Sequence, residues 1–296
     1  MKFSMGQNTN KLLVGNWSVN YSDSQLPFNN KLQAEGKSLI KEWVSCFSPE
    51  NTWVQNNLHI PSLIVRLDCV IENDQLRLYE VEERPAGIGF NTLMNPLFAA
   101  ELKKVQSTWP KFEVVVSSLR NSSDDHLWAP VTNNPSDLVL VRAEPSEFGF
   151  HYLESRSVSS LKQKGNKSYG LAMNLWREVT KEDALDWDKG FVLKPKQGSK
   201  TRDIWIWDPG RRRAGSYGQN RIIKELEKKP MYCQDLIEPM ASGHPNFPCL
   251  ILRVFYGYDC IKQDWVYIGG MWNARPNLKV HGATDTAFGS VIPTDG

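Results

Sequence analysis

Leu63-Ile-Val-Arg-Leu-Asp-Cys-Val-Ile-Glu-Asn-Asp-Gln-Leu-Arg-Leu-Tyr-Glu-Val-Glu-Glu-Arg84 decides how the rest of the chain is read. Two runs rich in β-branched and aromatic residues, Leu63–Ile71 and Leu76–Glu82, flank the polar Glu72-Asn-Asp-Gln75, which is the pattern of a β-hairpin. Side chains alternate faces along a strand, so Arg66 shares a face with Asp68 and Glu80 shares one with Glu82. A three-residue loop, Asn73 to Gln75, places Asp68 opposite Glu80 and Arg66 opposite Glu82, whereas a four-residue loop puts the two pairs on opposite faces. We expect the three-residue register, because it gathers three carboxylates and a guanidinium on one surface. Carboxylates that close repel one another unless a cation sits among them. Magnesium is the natural cation, since it takes hard oxygen ligands and keeps room for water and phosphates. The plain alternative is an Arg66–Glu82 ion pair on a solvated face, with Asp68 and Glu80 merely exposed. Such cross-strand pairs are common and contribute only about 0.2–1 kcal/mol.

Composition narrows the setting more than the chemistry. With 296 residues, 41% of them apolar, the chain can build a substantial core without covalent staples. Lys plus Arg number 35 against 33 Asp plus Glu, so there is no overall field to gather nucleic acid or an anionic membrane. Cys46, Cys69, Cys233, Cys249 and Cys260 are odd in number and never form a C-x-x-C pair, which argues against a disulfide framework and a zinc site. Neither a signal-peptide core nor a membrane-length apolar run is present, so the expectation is a cytoplasmic protein.

Further strand-like runs occur at Phe112–Ser117, Leu138–Val141, Phe191–Lys194, Asp203–Trp207, Leu250–Tyr256 and Trp265–Gly269. Helices are expected at Pro96–Val105, at Arg221–Lys228 ahead of Pro230, and as a short helix opened by the cap Thr180-Lys-Glu-Asp183 and running through Trp187. Strands interleaved irregularly with helices point to an α+β fold. Pro85-Ala-Gly-Ile-Gly89 reads as a tight turn after the hairpin.

Gly190-Phe-Val-Leu-Lys-Pro-Lys-Gln-Gly-Ser-Lys200 delivers Lys194 from a strand into a polar loop around Gly198. A lysine on a rigid strand is a fixed positive charge, and a Gly-Ser loop lets backbone N–H groups approach phosphate oxygens. There is no Walker G-x-x-x-x-G-K-[ST] sequence. Met231-Tyr-Cys-Gln-Asp-Leu-Ile-Glu-Pro239 is a further strand. Trp265-Val-Tyr-Ile-Gly-Gly-Met-Trp-Asn-Ala-Arg-Pro-Asn277 runs through a glycine pair to Arg275, and Asn277, His281, Thr284 and Asp285 follow in a polar loop. Arg211-Arg-Arg213 is an ordinary solvated charge run or an anion contact, and the eleven tryptophans read as core anchors.

The R-x-D followed twelve residues later by E-x-E resembles the magnesium-binding hairpin of ATP-grasp enzymes. Its position ahead of the lysine strand resembles the circularly permuted branch represented by glutathionylspermidine synthetase. The resemblance implies a core lobe over residues 1–184, a small lid subdomain over 185–235 and a return to the core over 236–296. It implies that Asp68, Glu80 and Glu82 hold magnesium, with Arg66 facing phosphates or substrate. Lys194 would contact an ATP phosphate, backbone groups of Asp235 and Leu236 would serve adenine, Gln234 and Glu238 would serve the ribose, and Arg275 would steady the transferred phosphoryl group. Glu82 departs from the pattern, which usually has Asn there. The implied activity joins a small-molecule or peptide carboxylate to an amine through an acyl phosphate. The alternatives are a small-molecule kinase and a non-catalytic nucleotide-binding module.

Overall fold

The structure is a computed structural model that describes residues 3–6, 9–14, 17–45, 53–55, 58–60, 62–82, 85–109, 112–115, 124–132, 138–141, 177–195, 204–210, 213–279 and 285–295. In chain order the elements are β1 (Asn10–Val14), β2 (Trp17–Tyr21), β3 (Leu26–Asn29), α1 (Asn30–Ser45), β4 (Trp53–Gln55), β5 (Leu58–Ile60), β6 (Ile64–Glu72), β7 (Gln75–Glu82), α2 (Ile88–Met94) and α3 (Pro96–Gln106). There follow β8 (Phe112–Val115), β9 (Val131–Thr132), β10 (Leu138–Val141), β11 (Arg177–Val179), β12 (Phe191–Pro195), β13 (Trp205–Trp207), α4 (Gln219–Leu226), β14 (Met231–Asp235), β15 (Met240–Ala241), β16 (Cys249–Asp259), β17 (Asp264–Arg275) and β18 (Ala287–Thr294). The chain is a mixed α+β fold with few helices. Among the described residues no helix is long and apolar enough to cross a membrane.

The large sheet has nine strands, ordered β1-β2-β18-β17-β16-β6-β7, with β15 also on β16 and β3 on β18. Its centre is β16, Cys-Leu-Ile-Leu-Arg-Val-Phe-Tyr-Gly-Tyr-Asp, buried along its whole length. A near-continuous apolar run of this kind is what a strand covered on both faces requires. On the back face lies α1, whose buried Leu32, Gly36, Ile40 and Trp43 recur at helical spacing. Asn29 Oδ1 caps it, accepting from Leu32 N–H at 3.0 Å. Gly36 is needed there, since a Cβ would lie 2.1 Å from the Tyr256 hydroxyl. On the front face, Gly87, just ahead of α2, lies over Met271, and α3 sets Phe98 edge-on against Phe255. Asn95 caps α3 by accepting from Phe98 N–H and donates its own amide to Gly270 O and Val291 O, which anchors the helix pair to β17 and β18.

The small sheet, β11-β14-β12-β13, packs Phe191, Leu193, Met231 and Cys233 against Ile222 and Leu226 of α4. Its other face carries Val192 and Ile206, which join Cys249 and Leu278 in an apolar seam.

Two sequence expectations need correction. The hairpin turn has two residues, not three: Glu72 pairs with Gln75, and Asn73 and Asp74 take φ of 52° and 57°. Consecutive left-handed residues make the primed turn that suits strand twist, and Asn and Asp tolerate that conformation. The Thr180–Trp187 segment contains turns and no helix. There the Asp183 carboxylate accepts from both Thr180 N–H and Thr180 Oγ1, a local bond that competes with helix formation. Trp187 is instead drawn edge-on to Phe191 and Trp207, and its carbonyl accepts from Trp207 Nε1. The helices at Pro96–Gln106 and Gln219–Leu226 fall where expected.

Candidate active site

A two-residue turn alone would set Asp68 opposite Tyr79 and send Glu80 and Glu82 to the back face. A β-bulge prevents this. Cys69 pairs with Leu78, but Asp68 pairs with Glu80, so Tyr79 is the extra residue and every pair beyond it is shifted by one. Asp68 therefore faces Glu80, and Arg66 faces Glu82, in the expected pairs by an unexpected route. The bulged Tyr79 uses its hydroxyl to donate to Ile237 O at 3.1 Å.

Arg66 is the hub of the cluster. Its Nε donates to Asp68 Oδ1 at 2.6 Å and its Nη2 to Asp68 Oδ2 at 3.0 Å, a two-pronged pair. Nη2 also lies 2.9 Å from Glu82 Oε1, and Nη1 donates to Ala86 O at 2.8 Å, so the turn after the hairpin is tied to the same guanidinium. Burial opposes the charge of Arg66, but Asp68 and Glu82 outweigh it and hold the group protonated above its ordinary range. On the neighbouring strand, Arg253 pairs in register with Asp68 and sets its Nε 3.5 Å from Asp68 Oδ2. Burial first, and then the Arg66 charge, lower the pKa of Arg253. Beside it, the Asn273 amide, turned so that its oxygen faces Arg253, would accept from Arg253 Nη1 at 3.3 Å. From the small sheet, Lys194 Nζ donates to Glu80 Oε2 at 2.9 Å, across 114 residues of sequence.

Asp68, Glu80 and Glu82 each offer an oxygen, and the three lie within 4.8 Å of one another. Ligands of an octahedral magnesium ion are about 3.0 Å apart when adjacent and about 4.2 Å when opposite, so the donor set suits a hard divalent cation once the three oxygens draw together around it. Repulsion alone does not demand one, because Arg66, Arg253 and Lys194 match the three carboxylates charge for charge. Glu82, with about a quarter of its side chain still exposed, is pushed up to about 7, chiefly by burial and against the pull of Arg66.

A raised carboxyl pKa makes the folded state hold its proton more tightly than the unfolded state, whose value is near 4.5. Glu82 therefore favours the fold at low pH, and that contribution is lost as pH rises from about 4.5 through about 7. Urea midpoints in metal-free buffer at pH 5 and pH 8 are expected to fall further for the parent chain than for Glu82→Gln. Parallel pH profiles would refute the assignment.

No protein-family profile and no curated protein sequence matches the chain. Among solved structures, a protein of Methylobacillus flagellatus KT, provisionally named a gamma-glutamylcysteine synthetase, aligns over 75% of this chain and 78% of its own, with 8% identity and a TM-score of 0.39. Likeness at that level assigns neither fold nor activity, so the function is argued from the site itself.

The remaining candidates are dispersed. Gln234 faces the hairpin, but its amide donates to Leu78 O at 3.3 Å and so ties the small sheet to β7. Asp235 is exposed at the end of β14. The Leu236 N–H donates to Gly190 O, so it is not a free adenine donor, while its side chain borders the apolar seam. Glu238 accepts two bonds from Arg213, whose guanidinium also grips the buried Asp208, so Arg213 is a structural clamp and no loose surface charge. Arg275 shares the front face with Arg253 through the β16–β17 register, but its Nη2 donates to both oxygens of Asp285, its Nη1 donates to Lys279 O, and its buried Nε has no partner among the described residues. Asn277 Oδ1 accepts from Lys279 N–H. His281, Thr284, Arg211, Arg212 and the Gly198 loop lie outside the described residues. Sequence reasoning missed Arg253, although a lone arginine in the apolar run Leu250-Ile-Leu-Arg-Val-Phe-Tyr256 was the available signal.

Proposed function

We propose that the chain is an ATP- and magnesium-dependent ligase with a circularly permuted ATP-grasp arrangement, joining a carboxylate to an amine or another nucleophile through an acyl phosphate. The observation that carries this reading is the meeting of two sheets at one cluster: carboxylates and two arginines from the hairpin and β16, with a lysine delivered from β12. We take residues 1–184 and 236–296 as the core and 185–235 as the lid.

Asp68, Glu80 and Glu82 would hold Mg2+, which supplies charge neutralisation for the nucleotide phosphates when bound. The protein's own part is positioning. Lys194 and the front-face arginines Arg253 and Arg275 would orient the phosphates. A carboxylate oxygen of the substrate would attack the γ-phosphorus, ADP would leave, and the amine would then attack the acyl carbon and expel phosphate. No protein nucleophile is required. Asn91, fully buried on α2 with neither amide atom hydrogen-bonded among the described residues, is a candidate for reading the acid substrate. The free Cys69, Cys233, Cys249 and Cys260 suit a reducing cytoplasm.

The test is incubation with ATP, magnesium and pooled amino acids, polyamines and short peptides, with phosphate release and product mass measured together. ADP, phosphate and an amide product are expected. A phosphorylated acceptor would mark a kinase. Tight nucleotide binding with no turnover would mark a binding module, and no magnesium-dependent nucleotide binding at all would overturn the reading.

A further inference from the structure

Resting on that reading, we propose that Lys194 is a stand-in for the divalent cation: its ammonium group occupies Glu80 until nucleotide draws it away, so that metal and nucleotide enter the site together and poorly apart. The Lys194–Glu80 pair joins side chains of different sheets, and both are largely withdrawn from solvent. Glu80 is also one of the three carboxylates whose oxygens converge. The same carboxylate would serve the lysine and the metal, and the two positive charges would repel across it.

Arg275 repeats the arrangement. The cation expected at the phosphoryl group rests on Asp285, with one buried N–H left without a partner among the described residues. Both phosphate-directed cations thus hold protein carboxylates where phosphate oxygens would go. Charge explains why the exchange is concerted. Asp68, Glu80 and Glu82 are already balanced by Arg66, Arg253 and Lys194, so a metal alone adds uncompensated positive charge to a buried cluster, and a nucleotide alone adds negative charge. Together they partly cancel, and the remaining negative charge of the phosphates gives Lys194 a new partner as Glu80 is released. The lid need not detach for this. On either side of the pair, Gln234 holds Leu78 O and Tyr79 holds Ile237 O, so a swing of the lysine side chain is enough.

The experiment titrates Mn2+, as a spin probe for the metal, into the full chain with and without a non-hydrolysable ATP analogue, at fixed pH. The parent chain is expected to retain Mn2+ weakly alone and at least tenfold more tightly with the analogue. Lys194→Met is expected to bind Mn2+ alone at least tenfold more tightly than the parent, with the gain from the analogue reduced. Lys194→Gln should move in the same direction, which separates loss of charge from a packing fault. Equal or weaker Mn2+ affinity in both variants would overturn the stand-in role and leave the carboxylate site intact. If no form retains Mn2+ with or without the analogue, the metal reading fails as well.

Discussion

Replacing Arg66 by Met is expected to lower the stability of the folded chain by about 3–5 kcal/mol, the range seen when one partner of a buried ion pair is removed. Arg66 is 2% exposed, and it is the donor that Asp68, Glu82 and Ala86 O share. Without it, the ion pair left to Asp68 among the described residues is the long contact to Arg253, and Glu82 loses the charge that offsets its burial. The cost lies mainly in the carboxylates left behind and much less in the net worth of the pair. A double variant, Arg66→Met with Asp68→Leu, is therefore expected to recover part of the loss, because it removes charge of both signs. Arg77→Met is the matched control on the same hairpin: its partner Glu72 is 3.6 Å away and both are more than half exposed, so the expected cost is under about 1 kcal/mol. Urea unfolding of the three variants checks the ordering. An Arg66→Met chain as stable as Arg77→Met would show that the cluster is solvated and that its arginine is an ordinary surface charge.

The hairpin was legible because two apolar runs around a polar turn leave little choice of structure. Its register was legible only by luck of parity. A three-residue loop and a two-residue loop followed by a one-residue bulge bring the same residues face to face, and nothing in Leu78-Tyr-Glu80 marks the bulge. What selects it is tertiary: Tyr79 reaches Ile237, which is remote in sequence. Helix α1 shows the opposite failure. Leu32, Gly36, Ile40 and Trp43 have helical spacing, but a glycine at the contact with Tyr256 and charged residues between them dilute the signal. Lys194 could be singled out as a strand lysine, whereas its meeting with Glu80 depends on how two sheets pack. Gln234, Leu236, Glu238 and Arg275 are singled out in the sequence by their order along the chain. Their partners could not be read, because each bond is set by the packing of loops and strand ends.

In Asp68→Asn the expected result is loss of metal-dependent nucleotide binding from a chain that still folds. Asparagine keeps the size of the side chain and one acceptor oxygen for Arg66, but removes the negative charge lying between two buried arginines. Arg66 and Arg253 then face each other with less compensation, so some destabilisation is expected, though less than for Arg66→Met, because the remaining amide still accepts a hydrogen bond. The effect on the cation is larger in proportion. A neutral amide is a weaker ligand than a carboxylate, and the two guanidinium charges nearby would act on the metal without Asp68 to offset them. Loss of even an outer partner typically lowers metal affinity by about 10–100-fold, and loss of a ligand charge should reach at least that. Calorimetric titration of an ATP analogue with magnesium should therefore lose at least tenfold in affinity, while urea unfolding shows a cooperative transition. Glu80→Gln separates the two roles, since Glu80 accepts from Lys194 of the small sheet: it should lose metal-dependent binding with a smaller change in stability. If both variants bind nucleotide with magnesium as the parent does, the carboxylates are a structural charge network, and the catalytic centre must be sought elsewhere in the chain.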